Sequence, residues 1–334
     1  MNVLITGGAG YVGSILVGKL LSAFTEYNLF RDTPISFDEK SHRLDLTKLV
    51  VYDNLMYKQV CLTDYMYVKE FQFVHGDVRD HKTLLPYIQQ ADVIIPLAAI
   101  VGFPASERDR RLATEINFEQ IQFILNNTSS QQCIIFPTTN SGYGIGESGV
   151  YCTEETPLNP ISHYGRTKCA AEQILLDSSR AITLRLATAF GVSPRMRLDL
   201  LVNNFVYKAV TDGYIVLFEK DFKRNFIHVR DVALTFIYMI NKYSQFVGQA
   251  FNVGLSDANL SKLELTERIQ KYVPKFVVKY DDFATDPDKR DYIVSNAKIE
   301  ATGWRPYYTL DMGIQELVKA YSIIGHNNKQ FTNL

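Results

Sequence analysis

No charge of either sign dominates this sequence: thirty-five Lys and Arg face thirty-six Asp and Glu, a formal net charge of -1. A nucleic acid or an anionic membrane as main partner is therefore not expected, and an anionic ligand has to be held by local groups. Long apolar runs are missing as well. The longest, 91–103, is interrupted by Pro96 and Gly102 and falls short of the roughly 20 residues that a membrane helix needs. The four cysteines, Cys61, Cys133, Cys152 and Cys169, show no C-x-x-C spacing, which argues against a redox motif and for reduced thiols. No set of His, Cys and carboxylates has metal-ligand spacing, so no metal is expected. Met1 leads directly into Val3-Leu4-Ile5-Thr6, without a cationic segment, an apolar stretch or a cleavage signal. These absences set the expectation of a cytoplasmic protein. With 334 residues at 46% apolar composition, it can bury a sizeable core.

What is there is a rhythm. Short β-branched runs recur at 3–6, 49–53, 71–75, 93–97, 133–137 and 182–186, with stretches able to form helices between them. Runs that are apolar throughout imply strands buried on both faces, and strand–helix alternation implies a parallel sheet with right-handed crossovers. Past Gly191 the rhythm loosens into segments with clustered Arg and Asp, a last strand-like run at 250–253, and helical stretches at 263–272 and 312–321. The expected fold is α/β, a Rossmann-type doubly wound parallel sheet with a smaller C-terminal substrate lobe.

Directly after the first strand stands Gly7-Gly8-Ala9-Gly10-Tyr11-Val12-Gly13, followed by the helix-like 14–21. Glycines let the backbone turn tightly and approach a pyrophosphate, while the helix that follows offers amide donors and the positive end of its dipole. Asp53 ends the second strand with Asn54 beside it. A carboxylate there would accept from both ribose hydroxyls of an adenosine and repel a 2′-phosphate, so NAD is expected over NADP. Asp77 and Val78 follow the third strand, near the place of an adenine, and Leu97-Ala98-Ala99 end the fourth with small residues that permit close backbone contact. Asp53 follows Gly13 by forty positions, about twice the ~20 usual in this arrangement. The excess falls at 24–45, read as an inserted surface loop or hairpin. Residues 1–190, with about 226–254, are expected to form the NAD-binding domain, and 191–225 with 255–334 the substrate lobe.

Tyr164 and Lys168 stand i, i+4 in a helical stretch, so both side chains leave one face. A neighbouring ammonium would favour the phenolate, making Tyr164 a general base for a sugar hydroxyl. Thr139, just past the fifth strand, could bond the reacting oxygen and pass its proton to Tyr164.

These motifs, together with 224–231, Asn252-Val253-Gly254 and Gly303-Trp304, occur in the order found in the extended short-chain dehydrogenase/reductase family, the nucleotide-sugar epimerases and dehydratases, which the sequence resembles over nearly its whole length. More narrowly, 140–147, 186–191 and 286–292 are similar to GDP-mannoheptose 4-dehydrogenases of bacterial capsule heptose synthesis. The resemblance implies a nucleotide-sugar substrate held by Asn203, Arg224 and Arg290, with Arg195 and Arg197 nearby in sequence as secondary contacts; Thr188, also read as a substrate contact, stands where 4-epimerases usually have an Asn near the diphosphate, a departure that disfavours ordinary hexose 4-epimerase contacts. It also implies a homodimer or dimer of dimers, in which the helix bearing Tyr164 and the one near 113–125 meet across a two-fold axis. Where the family's 4,6-dehydratases carry Asp and Glu after the catalytic Thr, this sequence has Asn140 and Ser141, which disfavours dehydration. His228 is read as ordering a strand–loop junction. The sequence leaves open a C4 dehydrogenase or a 4-epimerase of UDP- or GDP-hexose. A third class, a non-enzymatic NAD-sensing regulator, would be expected to lose the Tyr and Lys that are present here.

Overall fold

A computed structural model describes residues 1–22, 46–280 and 290–324. The insertion at 24–45 and residues 286–289 of the 286–292 motif lie outside them. Seven strands form one parallel sheet: β1 (Asn2–Thr6), β2 (Lys48–Asp53), β3 (Phe71–His75), β4 (Val93–Pro96), β5 (Cys133–Thr139), β6 (Ala181–Leu186) and β7 (Ala250–Val253). Their spatial order is β7-β6-β5-β4-β1-β2-β3. The chain runs outward from β1 to β3, then returns to place β4 on the other side of β1, with Val3 opposite Val93 and Asn2 opposite Lys48. That reversal sits between β1 and β4.

The strands are apolar throughout because both faces are covered. Val3, Ile5, Leu49, Val51 and Ile95 point into one cluster, which holds Leu16, Val17 and Leu20 of α1 (Tyr11–Ser22). Leu4, Val50, Ile94 and Phe136 point the other way, against Leu84 and Ile88 of α2 (His81–Gln90) and Ala171 and Leu175 of α3 (His163–Asp177). Period-two alternation between two apolar layers yields an unbroken hydrophobic run.

The first cluster continues into the C-terminal half. It includes Val202 and Val206 of α4 (Leu201–Thr211), Val232 and Phe236 of α5 (Val229–Asn241), and Ile314 and Leu317 of α6 (Leu310–Ile324). This half adds a three-stranded sheet (Thr188–Phe190, Lys223–His228, Asn259–Ser261) and the pair Tyr214–Leu217 with Val277–Tyr280. Ile293–Val294 pairs with Tyr151–Cys152, bringing the segment after residue 290 to the turn that follows β5. Among the described residues no helix is long and apolar enough to cross a membrane.

Candidate active site

A cleft of about 310 Å³ opens along the carboxyl ends of β1, β2, β4, β5 and β6, where a doubly wound sheet presents its loops at the reversal of strand order. Gly7 leaves β1 at φ 70°, and a Cβ there would lie 2.5 Å from the Ala98 backbone nitrogen. The loops after β1 and β4 therefore touch backbone to backbone, which only glycine allows. Gly13 is as confined, since a Cβ would stand 2.6 Å from the Gly8 carbonyl oxygen. The result is a first helical turn at the cleft wall, with Gly10, Tyr11 and Val12 lining it.

Asp53 is buried at the end of β2, where it accepts from the Ala9 amide (3.0 Å) and the Leu55 amide (2.8 Å). Burial raises its pKa and these two amides pull it back. The carboxylate thus shapes the glycine loop as well as facing the cleft. Asn54, Val78, Leu97, Ala98 and Ala99 also line it. Asp77 does not. Its carboxylate pairs with Arg79 at 2.9 Å, which holds it down at about 2, and it accepts from Asn54 at 3.3 Å. On the same wall the Thr138 hydroxyl is buried with no hydrogen-bond partner. A buried hydroxyl of that kind is what a polar ligand would satisfy, and with the glycine cradle it fits a dinucleotide.

The three residues expected to be catalytic, Thr139, Tyr164 and Lys168, converge on this cleft from two elements. Ser162 caps α3 by accepting from the Gly165 amide (3.0 Å), which starts the helix at the cleft and puts Tyr164 in its first turn and Lys168 one turn deeper. Thr139, at the end of β5, caps the short turn Asn140–Tyr143 by accepting from the Ser141 amide (3.1 Å). Burial pushes the Tyr164 phenol up, while Arg197, Arg290 and a hydrogen bond with Thr139 oppose it. Burial also pushes the Lys168 ammonium down to about 7, against the pull of Glu172. Its Nζ lies 3.8 Å from the centre of the Phe136 ring. Arg197 and Arg290 add cationic support for a Tyr164 phenolate, while burial acts against the charge on Lys168.

The cleft lining is also cationic: Arg195, Arg197 and Arg290 line it with Thr188. Arg197 is paired with Asp199, and the Arg195 guanidinium sits 4.7 Å from the Tyr57 ring centre.

The shape of this site agrees with comparison to known proteins. A family model described as the NAD dependent epimerase/dehydratase family matches residues 3–254. The chain belongs to that family. It is an enzyme whose cofactor is NAD, and the glycine cradle, Asp53 and Thr138 fit that cofactor. Among relatives, the low-salt glycan biosynthesis protein Agl12 of Haloferax volcanii is 27% identical over 96% of this chain and 98% of its own. CDP-paratose 2-epimerase of Salmonella typhi is 26% identical over 95% of this chain and 98% of its own. A crystal structure of dTDP-glucose 4,6-dehydratase from Bacillus anthracis in complex with NAD superposes with a TM-score of 0.78 at 23% identity, covering 99% of this chain and 98% of that one. It shares the fold.

In this member of the epimerase/dehydratase family two residues expected to hold substrate stand off the cleft wall. Asn203 is fully buried on α4, accepting from the Gly191 amide (3.0 Å) and donating to the Arg197 carbonyl (2.9 Å) and the Tyr11 hydroxyl (3.2 Å). Its polar capacity is used in shaping the loop that carries Arg197. Arg224 donates to the Lys223 carbonyl (2.9 Å), and its guanidinium sits over the ring of Tyr292, 5.6 Å from the centre, while Tyr292 lines the cleft. His228 sits at its strand–helix junction fully buried, its Nδ1 accepting from the Arg230 amide (3.2 Å) and its Nε2 facing Glu316 (2.8 Å). Sequence reading passed over Tyr57 and Gln59, which line the cleft from the loop after Asp53; that loop carries no periodic or motif signal. It also read Ser141 only as a residue that is not an acid.

Proposed function

We propose that the protein oxidises C4 of a nucleotide-activated sugar, GDP-mannoheptose in the finest form of this reading, and releases a 4-keto sugar with its C6 oxygen intact. Three guanidinium groups in the cleft lining, Arg195, Arg197 and Arg290, suit a diphosphate, because planar forks bind phosphate oxygens bidentately. Tyr164 takes the proton of the C4 hydroxyl at its phenol oxygen, and Thr139 holds the same oxygen. Lys168 stands one turn below and gives the cofactor's ribose a donor. NAD, when bound, supplies the acceptor for the hydride that leaves C4.

The observation that carries the reading is the turn after Thr139. Loss of the C6 hydroxyl needs a base at C5 and an acid at C6, and neither an amide nor a serine hydroxyl supplies these near neutral pH. Asn140 is only 1% exposed and lies off the cleft wall, while Ser141 faces it. A second reading, a 4-epimerase of UDP- or GDP-hexose, uses the same residues and returns the hydride to the other face of the ketone. The family's description, which names epimerases beside dehydratases, supports it.

The test is incubation with GDP-mannoheptose, GDP-mannose and UDP-glucose in deuterium oxide, following nicotinamide absorbance and the product. A 4-keto sugar that keeps its C6 oxygen supports the first reading, an inverted C4 the second. A 6-deoxy product with deuterium at C5 overturns both.

A further inference from the structure

Residues 191–200, between the strand Thr188–Phe190 and α4, form no helix or strand, yet they carry Arg195 and Arg197 into the cleft lining. A loop with no ladder of its own keeps its side chains in place through the groups it is tied to. Those ties converge on the first turn of α1. The Tyr11 hydroxyl donates to the Gly191 carbonyl (2.7 Å). The Ser193 hydroxyl gives its one hydrogen to the Tyr11 carbonyl (2.7 Å) and so accepts from Ser14 (2.9 Å). Asn203 closes the circuit: its nitrogen gives one hydrogen to the Tyr11 hydroxyl and the other to the Arg197 carbonyl, while its oxygen takes the Gly191 amide. The loop's tie to α6 is longer, from the Val192 amide to Glu316 (3.4 Å).

Tyr11, Ser14, Ser193 and Asn203 are all buried. Burial pushes the Tyr11 phenol up, so it keeps its hydrogen at neutral pH and stays a donor to Gly191. The other end of the same residue faces the cofactor. Tyr11 is the first residue of α1, where an amide has no partner within its own helix, and it lines the cleft beside Gly10 and Val12. Amides in that place hold a pyrophosphate. One residue therefore has its main chain in the cofactor cradle and its side chain on the loop of the arginines. A cofactor that fixes the first turn of α1 fixes Gly191 and Ser193 with it, and a diphosphate that fixes Arg195 and Arg197 fixes the same turn in return.

We propose that Tyr11, together with Ser193, is a positioning residue that couples the two ligands, so that NAD and the nucleoside diphosphate of the sugar substrate each strengthen the binding of the other through the hydrogen bonds of Tyr11 to Gly191 and of Ser193 to Tyr11. This rests on the reading above in taking Arg195 and Arg197 as partners of the diphosphate, and not on the fate of C4. Coupling between two sites is reciprocal, so either ligand reports it.

The test starts from the NAD-loaded enzyme. Release of labelled NAD into an excess of unlabelled NAD is followed without nucleotide and with saturating GDP or UDP, in wild type, Tyr11→Phe and Ser193→Ala. Calorimetry on the same samples gives the affinity for GDP and UDP. In wild type one of the two is expected to slow release about fivefold or more, and in either variant by less than about twofold. A residue needed only for the fold would change release with and without nucleotide alike and leave their ratio as it was. A nucleotide that only blocks the exit would slow release in the variants as in wild type. Either result overturns the proposal, as does wild-type release indifferent to a nucleoside diphosphate that calorimetry shows to be bound. Should Tyr11→Phe fail to retain NAD, Ser193→Ala decides by the same ratio. A wild type that binds neither GDP nor UDP, or Arg195→Ala and Arg197→Ala variants that bind them as tightly as wild type, removes the diphosphate reading and the coupling with it. The expected ratios without a 4-keto product support Tyr11 and Ser193 and remove the C4 reading.

Discussion

A lysine buried against an aromatic ring and about half discharged at neutral pH makes Lys168 a proton counter for ligand binding. In the cofactor-free protein its pKa stands at about 7, lowered by burial. If its ammonium contacts the cofactor's ribose, the bound form holds the proton to a higher pH than the free form. The sign follows from linkage: below about pH 7 binding takes up no proton, while above it each cofactor bound draws up to one, so affinity falls as pH rises. Calorimetry at about pH 8 in buffers of differing ionisation enthalpy reads this directly. Uptake is expected in wild type and its loss in Lys168→Met; no uptake in wild type would remove Lys168 from the cofactor site. Tyr164→Phe is expected to leave NAD binding intact and to lower turnover by about 10²-fold, the scale of a lost general base. Near-normal turnover in that variant would mean another base. Asp53→Asn has two expected consequences, because the carboxylate both faces the cleft and holds the Ala9 amide: the preference for NAD over NADP narrows, and the glycine loop loosens. Titration of both cofactors against wild type and variant checks this, and wild type binding NADP as tightly as NAD would sink the role given to Asp53.

At the scale of elements, the legible parts were those whose cause is local. The strands expected at 3–6, 49–53, 71–75, 93–97, 133–137, 182–186 and 250–253 all lie in the seven-stranded sheet, with ends shifted by at most two residues. Continuous apolar runs flanked by glycine and polar residues leave little else for them to form. The glycine motif was equally readable, and its mechanical basis yields a prediction. Gly13→Ala would press a methyl against the Gly8 backbone at 2.6 Å, where neither chain can yield cheaply. It is expected to cost about 1–3 kcal/mol in denaturant unfolding and to weaken NAD binding by moving the start of α1; unchanged unfolding and unchanged binding would show that the two backbones can separate. Less readable were the side chains that tie elements together. Asn117 grips the Ile100 amide and carbonyl at 2.9 and 3.0 Å and reaches Thr167 at 3.2 Å, fixing the loop after β4 to the helix that carries Tyr164. Nothing in its sequence neighbourhood separates it from any other polar residue on a helix.

For the whole molecule, the helical stretch around 110–126 packs beside α3 in the same subunit, with Thr114 meeting His163 at 3.0 Å. The resemblance places both at a two-fold axis, so a homodimer or dimer of dimers is expected, closed symmetry being the common outcome for soluble oligomers. A monomer independent of concentration in sedimentation would contradict it. The sequence by itself determined the strand order along the chain, the turn that cradles a dinucleotide and the i, i+4 placement of Tyr164 and Lys168, because each depends on neighbours within a few residues or on a repeating period. Tertiary structure alone decided which cations face Tyr164, that Asn203 braces the loop carrying Arg197, and that Arg290 reaches Ser141 from 149 positions away. The reason is physical. A charge or hydroxyl acquires its role from burial and from partners brought by other elements, and those are set by how the two halves of the chain pack, which no local pattern of residues encodes.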